Sequence, residues 1–120
     1  MTLVKHTTIT PQDATNAFTS SPECTLAHEI YSVVDDAEKA MNEQNDAEVE
    51  SSAEKLDTLI KRTENIWIPI RNTPPKERSR AQKAFSGATH FFVTALTFRD
   101  QVAAAQGIAY AIIEIYYWGK

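Results

Sequence analysis

The stretch AQKAFSGATHFFVTALTFRDQVAAAQGIAYAIIEIYYW, residues 81–118, decides the fold. Ala84, Ala88, Phe91, Ala95, Phe98, Val102, Ala105, Ala109, Ile112 and Tyr116 follow one another at alternating spacings of four and three. That is the period of a buried helical seam. A second set, Phe85, Phe92, Leu96, Ile108, Ile113 and Tyr117, lies partly off the seam. A helix apolar over so wide an arc needs neighbours on several sides. The C-terminal third is therefore expected to form the core of an all-helical domain, and part of a subunit interface.

Upstream, Asn72-Thr73-Pro74-Pro75 is the firmest break in the chain. Before it, Val49, Ala53, Leu56, Ile60, Thr63, Trp67 and Ile70 keep the same spacing and predict a helix over residues 47–68, capped by Asp46. Pro69 is expected to end or kink that helix, because it lacks an N–H and its ring clashes with the preceding turn. Ser21-Pro22-Glu23-Cys24 reads as another helix start, with Ala27, Ile30, Val34, Ala37 and Met41 on one stripe. Residues 1–20 are polar and rich in Thr, and are expected to be a flexible arm with at most a short helix from Thr10-Pro11. The domain proper then covers residues 21–120.

From Pro75 nothing forces a stop until Gly119. An unbroken helix over those 44 residues would be about 66 Å long, against about 30–35 Å for each helix upstream. Either the last helix overhangs and pairs with a second chain, or it breaks near its middle. Thr97-Phe98-Arg99-Asp100 resembles a capping box with Asp in place of Glu or Gln, which favours a break there. No segment shows strand alternation. The expected fold is all-α, a three- or four-helix antiparallel bundle behind a polar arm.

A chain of 120 residues with 42% apolar and 23% charged side chains is one ordinary globular domain by composition. Cys24 is the only cysteine, so no intrachain disulfide forms, and a reducing, cytoplasmic setting is expected. Met1 to Thr10 has no apolar core for a secretory signal. The most hydrophobic run, residues 102–118, is short for a membrane span and carries Glu114, so no membrane is expected.

The net charge of −4 disfavours nonspecific nucleic-acid binding by the whole surface, yet the charge is polarised along the chain. Residues 35–57 hold nine acidic side chains against Lys39 and Lys55. Residues 61–83 hold seven basic ones against Glu64 and Glu77. Arg71, Lys76, Arg78, Arg80 and Lys83 crowd the segment around Pro74-Pro75. Such cations suit phosphate in a sequence-independent way, but no aromatic is interleaved for base stacking. Basic residues at a helix start also oppose its dipole, which suggests that they meet acid on a partner or on the chain's own acidic helix. Asp35, Asp36, Glu43 and Glu50 are the matching acidic candidates; the cluster lacks the frame of an EF-hand.

Catalytic chemistry has little to build on. There is no Walker loop or nucleophile elbow, and three glycines leave little for a phosphate cradle. His28 and His90 lack the Glu three residues upstream that metal-binding bundles use. Cys24 in a first helical turn would be reactive only if exposed. Neither a cofactor nor a metal is expected. The reading is a noncatalytic adaptor, regulator or inhibitor that engages a protein partner through the charged residues above. It is expected to be a homodimer through Ile108, Ile112, Tyr116, Tyr117 and Trp118. The runner-up is a nucleic-acid-associated subunit using residues 71–83.

Overall fold

The computed structural model describes the backbone of residues 21–118 and the side chains of residues 21–116. The polar segment expected as an arm, residues 1–20, lies outside the described residues. Within them the chain is all-helical: α1 (Pro22–Asn42), α2 (Asp46–Lys61), α3 (Glu64–Arg71), a single 3₁₀ turn (Pro75–Glu77), α4 (Arg80–Thr94) and α5 (Phe98–Trp118).

Local chemistry explains the ends. Ser21 caps α1: its Oγ accepts from the Cys24 N–H at 3.1 Å, and Pro22 follows at the first helical position. The helix stops in a left-handed turn at Gln44, φ 56°. There the Asn45 N–H donates to the Ala40 carbonyl at 2.9 Å, the bond that closes a Schellman turn. Asn45, one residue before the expected Asp46, caps α2 by accepting from the Glu48 N–H.

The helix expected over residues 47–68 divides at Arg62–Thr63. Thr63 is fully buried and its hydroxyl donates to the Ile60 carbonyl at 2.6 Å. That bond takes up a carbonyl at the end of α2 and accompanies the step into α3. Pro69 lies inside α3, which continues to Arg71. The division thus precedes the proline by six residues, and only a short helix has to absorb its missing N–H.

The long C-terminal segment breaks at residues 95–97. Ala95 is extended (φ −63°, ψ 136°) and ends α4. Thr97 then opens α5, its Oγ accepting from the Asp100 N–H at 3.1 Å. No glycine or proline is needed. The run Phe91-Phe92-Val93-Thr94 is aromatic and β-branched, with reduced helix propensity. The Thr94 hydroxyl donates to the His90 carbonyl at 3.0 Å at the α4 terminus.

α1 packs on α2 and on α5, and α5 packs on α4; α3 touches α4. Tyr116, near the end of α5, donates a hydrogen bond to Glu23, near the start of α1. Tyr110 is within electrostatic reach of Tyr31. α1 and α5 therefore run antiparallel. The described residues span 51 × 31 × 20 Å, and the short dimension is about two helix diameters. The core joins Ile30, Val34, Leu56, Ile60, Phe85, Ile108 and Ile112 from α1, α2, α4 and α5.

The apolar seam of residues 81–118 holds in one half only. In α5, Val102, Ala105, Ala109 and Ile112 are buried as expected. In α4 the buried pair is Phe85 and Phe92, while Ala84 is exposed and Phe91 is 48% exposed. The three residues of the turn reset the helical phase, so a stripe continuous in sequence changes face in space.

Candidate interaction surface

The two ends of the molecule differ in charge. Because α1 and α5 are antiparallel, the α1–α2 turn and the α4–α5 turn share one end. Asp35, Asp36, Glu38, Glu43, Asp46 and Glu50 are exposed toward it, along with Lys39 and Arg99. The opposite end carries Arg71, Lys76, Arg80 and Lys83, all exposed, together with Glu23, Glu64, Glu77 and Glu114. The first end is strongly acidic and the second is mixed. α1 is 21 residues long, so the ends stand about 30 Å apart, several Debye lengths at physiological salt. The segments touch where Asp57 pairs with Lys61, but the two proposed clusters do not pair with each other. The ion pairs among the described residues are Lys61–Asp57 at 2.9 Å and Arg62–Glu29 at 3.4 Å, and neither involves a residue of the two proposed clusters.

Within the basic segment the structure separates two roles. Arg78 is half-buried and folded over its own loop: Nε donates to the Ile70 carbonyl at 3.1 Å and to the Thr73 carbonyl at 3.0 Å. It ties the 3₁₀ turn back onto the end of α3. Arg71 lies over the Trp67 ring, 4.9 Å from its centroid, a cation–π contact. Lys76, Arg80 and Lys83 make no ion pair among the described residues.

The residues expected at a subunit interface divide in the same way. Ile108 and Ile112 have no exposed surface, being packed inside this chain's own core. That corrects the interface reading for both: they cannot meet a second chain without opening the fold. The length mismatch behind that reading also disappears, because the break leaves α4 and α5 at 15 and 21 residues. Tyr116 is partly exposed, with its hydroxyl on Glu23; burial first, and the Glu23 carboxylate second, push its pKa up to about 12. The side chains of Tyr117 and Trp118 lie outside the described residues.

Apolar surface is exposed elsewhere. Leu96 in the α4–α5 turn is 97% exposed, Val93 75% and Tyr110 62%. Along the outer seam between α4 and α5, a depression of about 440 Å³ is lined by Arg80, Ala81, Ala84, Gly107, Tyr110, Ala111 and Glu114. The helices approach closely there: a Cβ on Gly107 would lie 3.5 Å from that of Ala88. A second groove, about 400 Å³, opens between α2–α3 and α4, with Ile60, Trp67, Phe92 and Val93 on its walls. The outer seam escaped the sequence reading because Ala84 and Phe91 were assigned to the core. The signal that resets their phase was legible: the β-branched and aromatic run, followed by the Thr97 cap.

Among the described residues no group of three metal-ligating side chains converges, and no helix is long and apolar enough to cross a membrane. His28 and His90 are both exposed, and Glu29 is held by Arg62. Cys24 is buried, and burial pushes its thiol pKa up, the opposite of helix-dipole activation. No protein-family model, no curated protein and no solved structure matches this chain.

Proposed function

We propose that this chain is a small noncatalytic protein-interaction module, an adaptor, regulator or inhibitor acting in the cytoplasm. In this reading its helices work as an antiparallel bundle behind the polar N-terminal segment, and it self-associates through the C-terminal helix. The observation that carries the proposal is the separation of charge. The acidic end and the cations Lys76, Arg80 and Lys83 are exposed and are not paired with each other. Solvated like charges stabilise a fold little, whereas a partner of opposite charge gains both on-rate and specificity from them.

The test is affinity capture from the native host, comparing three forms of the protein. Asp35→Lys with Asp36→Lys removes acid; Arg80→Glu with Lys83→Glu removes base. Loss of one defined partner in either charge variant, with wild-type helicity retained, supports the proposal. Identical capture profiles for all three forms refute it.

Nucleic acid is the second reading, and the exposed Lys76, Arg80 and Lys83 favour it. Arg78 is a poor probe because its guanidinium holds the loop. Gel shifts at low salt with Arg80→Glu and Lys83→Glu test this reading, and absence of binding by the wild-type protein ends it.

A further inference from the structure

The outward face of α5 carries Arg99, Ala103, Gln106, Tyr110 and Glu114, all exposed and at spacings of four, three, four and four. Those spacings place them on one stripe. The stripe is complementary to its own reversal. Laid antiparallel on a copy of itself about a point between Gln106 and Gly107, it sets Arg99 opposite Glu114, and Ala103 opposite Tyr110. Each contact then occurs twice, as a two-fold interface requires. A cation meets an anion, and a methyl meets a ring that protrudes at 62% exposure. Within one chain Arg99 and Glu114 are about 22 Å apart along the helix, far beyond pairing distance, and neither has an ion pair among the described residues.

We infer that the occupant of this face is a second copy of the chain, docked with α5 antiparallel to its counterpart. This deepens the self-association in the proposed function and rests on it. The stripe does not stand alone. On one side Ala84, Ala88 and Phe91 of α4 extend it across the outer seam, and Arg80 and Glu114 close one end of the depression there. On the other side α1 packs against α5 and brings the half-buried Tyr31 within electrostatic reach of Tyr110. A two-helix face about 20 Å wide and 30 Å long has a flat footprint of about 600 Å², below the roughly 800 Å² that a standard interface takes from each partner and in the range of a weaker dimer. The poles favour one direction: parallel docking would set the two acidic ends side by side, whereas antiparallel docking sets each against the mixed end of the other copy, where Arg71, Lys76, Arg80 and Lys83 are exposed. Small residues at 84, 88, 103 and 107 let the helices approach closely.

The test is sedimentation of the full chain, first as wild type, then as Arg99→Glu and Glu114→Arg variants, alone and mixed. The wild type is expected to dimerise. Each variant alone places like charges opposite and is expected to associate at least roughly tenfold more weakly. An equimolar mixture is expected to regain wild-type association, since each chain then supplies the charge the other lacks. Tyr110→Glu should give a monomer with unchanged helicity. A wild-type protein that stays monomeric at about 100 µM overturns self-association altogether. A dimer indifferent to both charge reversals and to their mixing overturns this face and register, while self-association stands. Either failure is distinguishable from loss of a protein partner, which the capture experiment reads separately.

Discussion

Thr97 and Asp100 hold each other at the start of α5. The Thr97 hydroxyl accepts from the Asp100 backbone N–H at 3.1 Å and donates to its carboxylate at 2.7 Å. This exchange ends the possibility of one long C-terminal helix. It sets the phase in which α5 meets the core, and hence the face on which Tyr110 is exposed. Thr97→Ala removes an N-cap side chain whose loss typically costs about 1 kcal/mol. Denaturant unfolding should show that loss, while Thr97→Ser should retain most of the stability. An alanine variant as stable as wild type would show that packing alone sets the break.

Arg78 and Arg80 stand two residues apart with different duties. The Arg78 Nε sits on the Ile70 and Thr73 carbonyls, while the Arg80 side chain is exposed. Hydrogen bonds from a charged donor contribute about 1.5–3 kcal/mol when shielded, less at a half-buried site. Arg78→Ala should therefore cost about 1 kcal/mol and loosen residues 72–79, read as faster amide exchange there. Arg80→Ala should leave stability within about 0.5 kcal/mol. Equal effects would contradict this division.

Ser52 is buried in α2, and its hydroxyl has no hydrogen-bond partner among the described residues. A buried, unsatisfied hydroxyl carries a desolvation cost of about 1–3 kcal/mol, and alanine is the better helix former. Ser52→Ala should stabilise the protein by about 1 kcal/mol, measured by chemical denaturation. Destabilisation would show that the hydroxyl is satisfied in solution.

Alkaline pH should weaken the fold. Burial raises the Cys24 thiol above its ordinary 9.0, and burial with Glu23 raises Tyr116 from 10.0 to about 12. Both groups are neutral when protonated, so the folded state keeps protons that the unfolded chain has released. Their contribution is complete below the unfolded values and is lost as pH rises through the folded ones. Unfolding free energy should decline as pH rises past 9.0 and on toward about 12. Cys24→Ser should remove the first part of that decline. Glu23→Gln should bring the Tyr116 ionisation, followed by ultraviolet difference spectra against Tyr116→Phe, part of the way down. Native Cys24 should also resist thiol reagents that modify it after unfolding.

Much of the helical order was legible locally. The Ser21-Pro22 start is the observed cap of α1, and the stripes expected at 27–41 and 49–70 bury Ala27, Ile30, Val34, Ala37, Leu56, Ile60, Thr63 and Ile70, while Met41, Val49, Ala53 and Trp67 are half-buried. These signals are short-range, a cap or a spacing of three and four, and a linear sequence displays them directly. The division at Arg62–Thr63 was not legible, because Thr63 continues the apolar stripe and its hydroxyl finds the Ile60 carbonyl only once the site is buried. Ile108 and Ile112 read equally well as core or as interface, since a hydrophobic stripe does not say which neighbour covers it.

By itself, the sequence determined that the chain would be all-helical with a firm break at Asn72–Pro75, where α1 begins and which stripe of α1 and α5 is apolar. It also determined that an acidic segment is followed by a basic one along the chain. Only the tertiary structure decided which face of α4 is inside, because a three-residue turn rotates everything before it relative to everything after. It likewise turned a charge order along the chain into two poles, by setting α1 against α5 in opposite directions. The stripe from Arg99 to Glu114 was in the sequence throughout. It became a surface only when burial of Ile108 and Ile112 on the other side of α5 left it facing out.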